Sequence, residues 1–291
     1  MWAGGKTRMI KFYRQHAILP DSVDTYVEPF FGGGAMFLYA LEHYQPRRTI
    51  INDVNPGIVG IYTTIRDNAE MFVRRVSELE TVFLQMSYED RKKFYYDIRH
   101  QHAYDYEQWS KTQEAATLFF LMKTGFNGLW QVNNNTNGRF GTPCGLLKQT
   151  GQVFDRDNVQ AWHQALQTAE ITCGDWRSVD DMIDNAFYFL DPPYRGSFTS
   201  YGQSFTDTDQ EDLVEFAKSV PDSSRVLLCN DNVGDNFFED RQGHLKMLKF
   251  EIKHTAGRRK RTNTGHEAKS VTEIVLHNAP VSNGFSTALF E

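Results

Sequence analysis

The stretch that most constrains this fold is Thr25-Tyr26-Val27-Glu28 followed by Pro29-Phe30-Phe31-Gly32-Gly33-Gly34. A short β-branched and aromatic run reads as a strand, and the glycines after it read as a turn that lets backbone approach a ligand. Met36, Phe37, Leu38, Ala40 and Leu41 then carry a helical pattern. Strand, glycine loop and helix in this order is the opening unit of a nucleotide-binding α/β sheet. The spacing is Gly-x-Gly-x-x-Phe, because Phe37 stands where a dinucleotide fingerprint needs its third glycine. No Gly-Lys-Ser/Thr follows, so a P-loop is excluded as well. A small cofactor without a pyrophosphate fits better. Thr49-Ile50-Ile51-Asn52 reads as a second strand ending in Asp53, about twenty residues past the loop, where Rossmann-like sheets place a ribose-binding carboxylate. Asp53-Val54-Asn55-Pro56 then starts a helix with Ile58, Val59, Ile61, Tyr62 and Ile65 on its apolar face.

A second feature lies far downstream. Ala186-Phe187-Tyr188-Phe189-Leu190 is an apolar run of strand length, and it ends on Asp191-Pro192-Pro193-Tyr194. The prolines fix two φ angles and remove two N–H donors, which leaves carbonyl oxygens near Asp191 as acceptors. A carboxylate, a fixed carbonyl and an aromatic face at a strand end suit a planar amine that donates two hydrogen bonds and is stacked on one side.

Between these two features the chain changes character. Residues from about 68 to 122 are helical in pattern and charge-rich, with Arg91-Lys92-Lys93 read as a solvated helix face. Phe126-Asn127-Gly128-Leu129-Trp130-Gln131, an Asn-rich run to Arg139, and Phe140-Gly141-Thr142-Pro143 carry hairpin signals. That segment offers wedge and stacking groups beside amides able to read base edges. Glu170-Ile171-Thr172-Cys173 is a strand leading to Asp175-Trp176, an acid and an aromatic at a strand end. After the tetrad, Arg195 to Gly202 reads as a mobile loop and Thr208-Asp209-Gln210-Glu211 as the capped start of a helix. Arg225 to Asn230 is a buried strand and Thr272 to Leu276 a closing one. Residues 253–269 form a glycine-punctuated basic loop, with Arg258, Arg259, Lys260 and Arg261 suited to phosphate contacts. At the other end, Gly4-Gly5-Lys6 before a short helical pattern offers N–H groups and charge to an anion.

Composition narrows the class. The 291 residues hold 31 Lys and Arg against 37 Asp and Glu, a net charge of −6, so any nucleic-acid contact depends on a local basic face. No run approaches the ~20 apolar residues of a membrane helix, and Met1 to Lys6 has no signal-peptide pattern. Cys144, Cys173 and Cys229 are scattered, without a Cys-x-x-Cys, which argues against a disulfide framework or a zinc site and for a reducing compartment.

Four blocks in order, Trp2-Ala3-Gly4-Gly5-Lys6, Glu28 to Gly34, Phe126-Asn127-Gly128-Leu129 and Asp191-Pro192-Pro193-Tyr194, resemble the Dam-type DNA adenine-N6 methyltransferases of the alpha group, over nearly the whole chain. The resemblance implies an α/β fold, a Rossmann-like sheet that uses S-adenosylmethionine and releases S-adenosylhomocysteine. The catalytic domain would comprise residues 1–67 and 146–291, with a helical target-recognition domain inserted at 68–145. It implies that Trp2, Lys6, Phe30, Gly32 and Gly34 bind the cofactor, with Asp53 on its ribose and Asp175 and Trp176 on its adenine. Asp191, Pro192, Pro193 and Tyr194 would hold the target adenine, and the hairpin from Phe126 and Asn127 to Gln131 would enter duplex DNA. Members that read GATC carry arginine where this chain has Gln131, so the recognised site is left open between Gln131 and Arg139 as readers. The expected setting is the cytoplasm of a bacterial or phage-infected cell, with no membrane and no metal. Rival readings are an amino methyltransferase for cytosine N4, RNA or protein amides, and a DNA-binding relative without catalysis.

Overall fold

A computed structural model describes residues 7–132, 134–145, 151–196, 205–253, 260–262, 265–267 and 270–280. Helix α1 (Thr7–Gln15) precedes β1 (Thr25–Glu28), α2 (Ala35–His43) and β2 (Arg48–Asp53). Three long helices follow, α3 (Pro56–Gln85), α4 (Tyr88–Tyr104) and α5 (Lys111–Thr124). After α6 (Arg156–Leu166) come β3 (Ala169–Cys173), β4 (Ala186–Leu190), α7 (Asp207–Ser219) and β5 (Arg225–Asp231). The chain ends in β6 (Lys246–Lys253), the short strands β7 (Lys260–Thr262) and β8 (Gly265–Glu267), and β9 (Ser270–His277).

The seven-stranded sheet runs in the order β3-β2-β1-β4-β5-β9-β6, with β7 and β8 forming a separate hairpin. Strands β1 to β5 are mutually parallel, and β9 lies antiparallel between β5 and β6. From β1 the chain first builds outward through β2 and β3, then returns to add β4 on the other flank. The strand order therefore reverses between β1 and β4, and ligands bind at the carboxyl ends beside such a reversal. The glycine loop follows β1 and the Asp-Pro-Pro-Tyr turn follows β4, so both sequence features meet at that edge.

Strand β4 lacks polar alternation because it is buried on both faces. Phe187 and Phe189 enter one hydrophobic cluster and Ala186, Tyr188 and Leu190 the other, as the two-residue strand period requires. Helix α7 covers the second face with Leu213, Val214, Phe216 and Ala217. On the first face the core continues without a break from Tyr26, Phe37 and Ile51 into Phe72, Phe83, Tyr95, Phe120 and Phe140 of the segment between β2 and α6. At about 25 cal/mol per Å² of apolar surface, this shared core is a main force holding that segment on the sheet.

Several local expectations are revised. The helix expected after Asp53 runs on to Gln85, and its one non-helical residue is Asn68, at the boundary drawn between 67 and 68. Asn55 caps it, accepting from Gly57 N and Ile58 N at 3.0 and 3.3 Å. Arg91, read as part of a solvated face, instead donates to the carbonyls of Phe83 and Leu84 at 2.9 and 2.8 Å and caps the end of α3. The capping box of α7 is built on Thr206 and Asp209, two residues earlier than the sequence suggested. In the basic segment 253–269, read as loop, the backbone of Lys260 and Arg261 belongs to the β7–β8 hairpin. Trp2, Lys6, Arg258 and Arg259 lie outside the described residues, as does 197–204, most of the loop expected after Arg195.

Candidate active site

The glycine loop is shaped by its own stereochemistry. Gly32 and Gly34 have φ of 47° and 62°, a region that side chains rarely adopt. A Cβ on Gly34 would also stand 2.7 Å from Trp162 and 2.8 Å from Phe31. Gly34 is thus demanded by the turn into α2 and by the aromatic rings beneath it.

Asp53 lies directly across from this loop. Its Oδ2 accepts Gly32 N at 2.9 Å and its Oδ1 accepts Asn55 N at 2.9 Å. A carboxylate has about four lone-pair sites, so about two remain for further donors. Burial pushes its carboxyl above the ordinary range, and the two N–H bonds pull it back. Val54 beside it is an exposed apolar residue.

Asn52, which sequence reasoning did not single out, ties the neighbouring loops together. It is buried, and its Nδ2 donates to Pro29 O at 3.1 Å and to Gly174 O at 3.0 Å. Thr172 Oγ1 donates to its Oδ1 at 2.9 Å. One side chain thus fixes the loops after β1 and β3 against each other. A strand-end Asn between an Ile pair and an Asp carried no sequence signal for that role.

Phe30 is half-buried and its ring lies 6.1 Å from that of Trp176. Trp176 itself is 6% exposed and meets Phe216 edge-on at 5.6 Å, as part of the second core cluster. Asp175 is exposed and caps a short turn through Arg177 N at 2.8 Å. Arg177 carries the pair onward to Asp209 and Asp212 at 2.8 and 2.6 Å. Asp175 therefore offers a carboxylate at the rim, while most of the Trp176 ring is committed to the core.

At the end of β4 the tetrad collects charge and aromatic surface. Burial raises the Tyr194 hydroxyl well above its ordinary pKa, and the Asp191 carboxylate adds to the effect. Burial likewise raises Glu28, whose Oε2 accepts the Tyr26 hydroxyl at 2.7 Å, with Asp191 and Asp53 also pushing it upward. Pro193 O accepts Gln210 Nε2 at 2.8 Å. Among the described residues no donor reaches Pro192 O, so of the two proline carbonyls it is the one left to accept.

The turn after α5 is held by α4 and α5. Asn127 and Gly128 take φ of 53° and 63° and Leu129 N bonds Phe126 O at 3.1 Å, a mirror-image turn that Asn-Gly favours. It leaves Phe126 40% and Leu129 36% exposed on either side, and Asn127 and Gln131 are exposed as well. Tyr95 and Arg99 of α4 hold the returning chain through Thr142 O at 2.8 and 3.0 Å. Arg139 does not project. Its guanidinium pairs with Glu114 of α5, lies 3.5 Å over the Tyr106 ring and is 22% exposed.

Over residues 2–259 the chain matches the family described as D12 class N6 adenine-specific DNA methyltransferase. The chain belongs to that family. It is 31% identical over 288 residues to Type II methyltransferase M.MjaIII of Methanocaldococcus jannaschii, covering 95% of this chain and 97% of the relative. It is 24% identical over 261 residues to the DNA adenine methylase of Haemophilus influenzae, covering 87% and 85%. The retron Ec67 DNA adenine methylase of Escherichia coli is 26% identical over 281 residues, with 94% and 88% covered. The methyltransferase acts on adenine N6 of DNA and takes its methyl group from S-adenosylmethionine. Cytosine, RNA and protein amides are thereby set aside as the family's substrate. The described site fits that cofactor: a glycine turn at a helix start, a strand-end carboxylate bonded to that turn, and an exposed apolar residue beside it. Among the described residues no helix is long and apolar enough to cross a membrane.

Proposed function

We propose that the methyltransferase draws one adenine out of duplex DNA and holds its amino group between the Asp191 carboxylate and the Pro192 carbonyl. The base ring stacks on Tyr194. The observation that carries this reading is the occupancy of the turn: Gln210 takes Pro193 O, and Pro192 O is left beside Asp191. An adenine N6 is a weak nucleophile because its lone pair is delocalised into the ring. Two acceptors bonding its hydrogens favour a tetrahedral nitrogen and localise that pair. Extrusion from the duplex costs a few kcal/mol, and Phe126 is placed on an exposed turn from which it can fill the gap.

S-adenosylmethionine, when bound, supplies a methyl group on positively charged sulfur. Gly32, Gly34, Phe30 and Asp53 line its side of the edge in this reading, with Asp175 and Trp176 toward its adenine, and Trp2 and Lys6 also contribute to binding it. The chain's contribution is position and charge: Asp191 stabilises the positive charge growing on the amine. Direct displacement requires no metal and no covalent enzyme intermediate. Gln131 reads a base edge in this account, Asn127 turns the hairpin, and Arg139 supports it from within. Arg258, Arg259, Lys260 and Arg261 contact phosphates. Insert 68–145 is the target-recognition domain, and the enzyme works in the cytoplasm with its DNA.

The test is incubation with tritiated S-adenosylmethionine and unmethylated duplex DNA, followed by nucleoside chromatography, with Asp191→Ala alongside. Label in N6-methyladenine from the parent and none from the variant, with cofactor still bound, is the expected result. A variant that keeps its turnover would remove Asp191 from the reacting group.

A further inference from the structure

The two prolines of the Asp-Pro-Pro-Tyr turn fix two φ angles but have no N–H to donate, so where the rigid turn sits depends on hydrogen bonds from groups that reach it from elsewhere. Two buried amides do this. Gln210, in the first turn of α7 and 1% exposed, donates through Nε2 to Pro193 O at 2.8 Å. Its Oε1 accepts Nδ2 of Asn230 at 2.9 Å. Asn230, at the end of β5 and 0% exposed, accepts Arg195 N at 2.9 Å and Asp231 N at 3.0 Å through Oδ1.

The network fixes its own orientation. Oδ1 of Asn230 faces two N–H groups, so it must be the oxygen. Nδ2 then faces Gln210, which places Oε1 there and leaves Nε2 for Pro193 O. The relay grips the tetrad on both flanks, at the carbonyl before Tyr194 and at the amide after it. It links the end of β4 to the end of β5 through the start of α7.

We propose that Gln210 and Asn230 are positioning residues for methyl transfer, which select the turn orientation that presents Pro192 O, and not Pro193 O, to the amine. The proposal rests on the reading of Asp191 and Pro192 as the pair that holds the target. Gln210 keeps one carbonyl engaged, and the rigid proline pair then determines where the other lies. A displacement of about 1 Å at that oxygen is enough to cost roughly a hundredfold in rate.

Gln210→Leu and Gln210→Glu test the relay, read by single-turnover transfer at saturating DNA and cofactor, with cofactor affinity measured by calorimetry. Gln210→Leu is expected to slow transfer by about ten- to a hundredfold while the cofactor dissociation constant stays within about twofold. Gln210→Glu keeps shape and volume, so it carries the test if the leucine variant does not fold. Its ionised carboxylate cannot donate to Pro193 O, but its protonated form can, with the other oxygen still accepting from Asn230. Burial raises such a carboxyl by several units, so its rate relative to the parent should recover as pH falls from about 8.5 to about 6. A purely structural role would give no such profile, and a flat ratio overturns the proposal. So does Gln210→Leu transferring at the parent rate while Asp191→Ala is inactive. If Asp191→Ala itself stays active, the reading of the amine site fails first.

Discussion

At the scale of single residues, Asp53 does two things at once. It anchors the glycine loop through Gly32 N and the start of α3 through Asn55 N, and in the proposed reading its remaining lone pairs accept the cofactor's ribose hydroxyls. Loss of affinity in Asp53→Ala alone would not separate these roles. The separation comes from a cofactor analogue lacking the ribose hydroxyls. Calorimetry should show S-adenosylmethionine binding at least about tenfold more weakly to Asp53→Ala than to the parent, an effect of the size of lost hydrogen bonds to a charged group. The analogue should lose only the share that comes from loop anchoring, so Asp53→Ala should discriminate less between cofactor and analogue than the parent does. A variant that discriminates between cofactor and analogue as the parent does would take Asp53 off the ribose and leave it as a loop anchor.

At the scale of elements, α4 and α5 support the hairpin proposed to read DNA. Tyr95, Arg99 and Tyr104 bond carbonyls at Thr142, Gly141 and Asn135, and Arg139 locks onto Glu114. Breaking that pair leaves a half-buried carboxylate without its partner, which is destabilising. Arg139→Met should therefore lower methylation at all sites together, without changing which sequence is chosen. Gln131→Ala should relax the choice at one base position, by the ~1–3 kcal/mol a bidentate base contact provides. Sequencing methylated DNA from cells expressing each variant checks both. A changed preference in Arg139→Met would return that residue to the reading face. The sequence announced the hairpin through its Asn-Gly pairs, because positive φ is a local requirement. It could not tell a projecting arginine from one folded back, since Glu114 and Tyr106 meet Arg139 only after α4 and α5 have packed together.

At the scale of the whole molecule, two buried histidines couple stability to pH. Burial, with Arg139 adding, lowers His102 to about 3, and burial lowers His277 to about 4, with Lys246 and Arg225 adding. Both are neutral in the folded protein, whereas an unfolded chain protonates them near pH 6.5. As pH falls below about 6.5 the unfolded state takes up protons that the native state refuses, so these two groups withdraw stability in the acid direction. Glu28, raised by burial, acts with the opposite sign. Comparison of the parent with His102→Gln isolates one group. Between about pH 6 and pH 4 the difference in unfolding free energy should move in the variant's favour by about 1.4 kcal/mol per pH unit. Denaturant titrations across that range measure it, and parallel profiles would mean that His102 titrates normally.

Much of the fold was legible in the chain because its signals are local. Glycines with φ that side chains avoid, a strand buried on both faces, a Pro-Pro turn and an Asn-capped helix each carry their structure in a few neighbouring residues. Those signals sufficed for the α/β order, the glycine loop, Asp53 at the end of β2 and the tetrad at the end of β4. Strand β6 was missed because Lys246, Lys249, Glu251 and Lys253 make it read as surface, and its partners on β9 lie 17 to 31 residues further along the chain. Asn52, Gln210 and Asn230 were missed for the same reason on a finer scale. An amide in a sequence has no direction, and only the meeting of β4, β5 and α7 decides which carbonyl it takes. The sequence by itself determined which chemical groups reach the sheet edge. The tertiary structure alone decided which of their hydrogen-bonding atoms are occupied and which are left for a substrate, because that depends on partners distant along the chain.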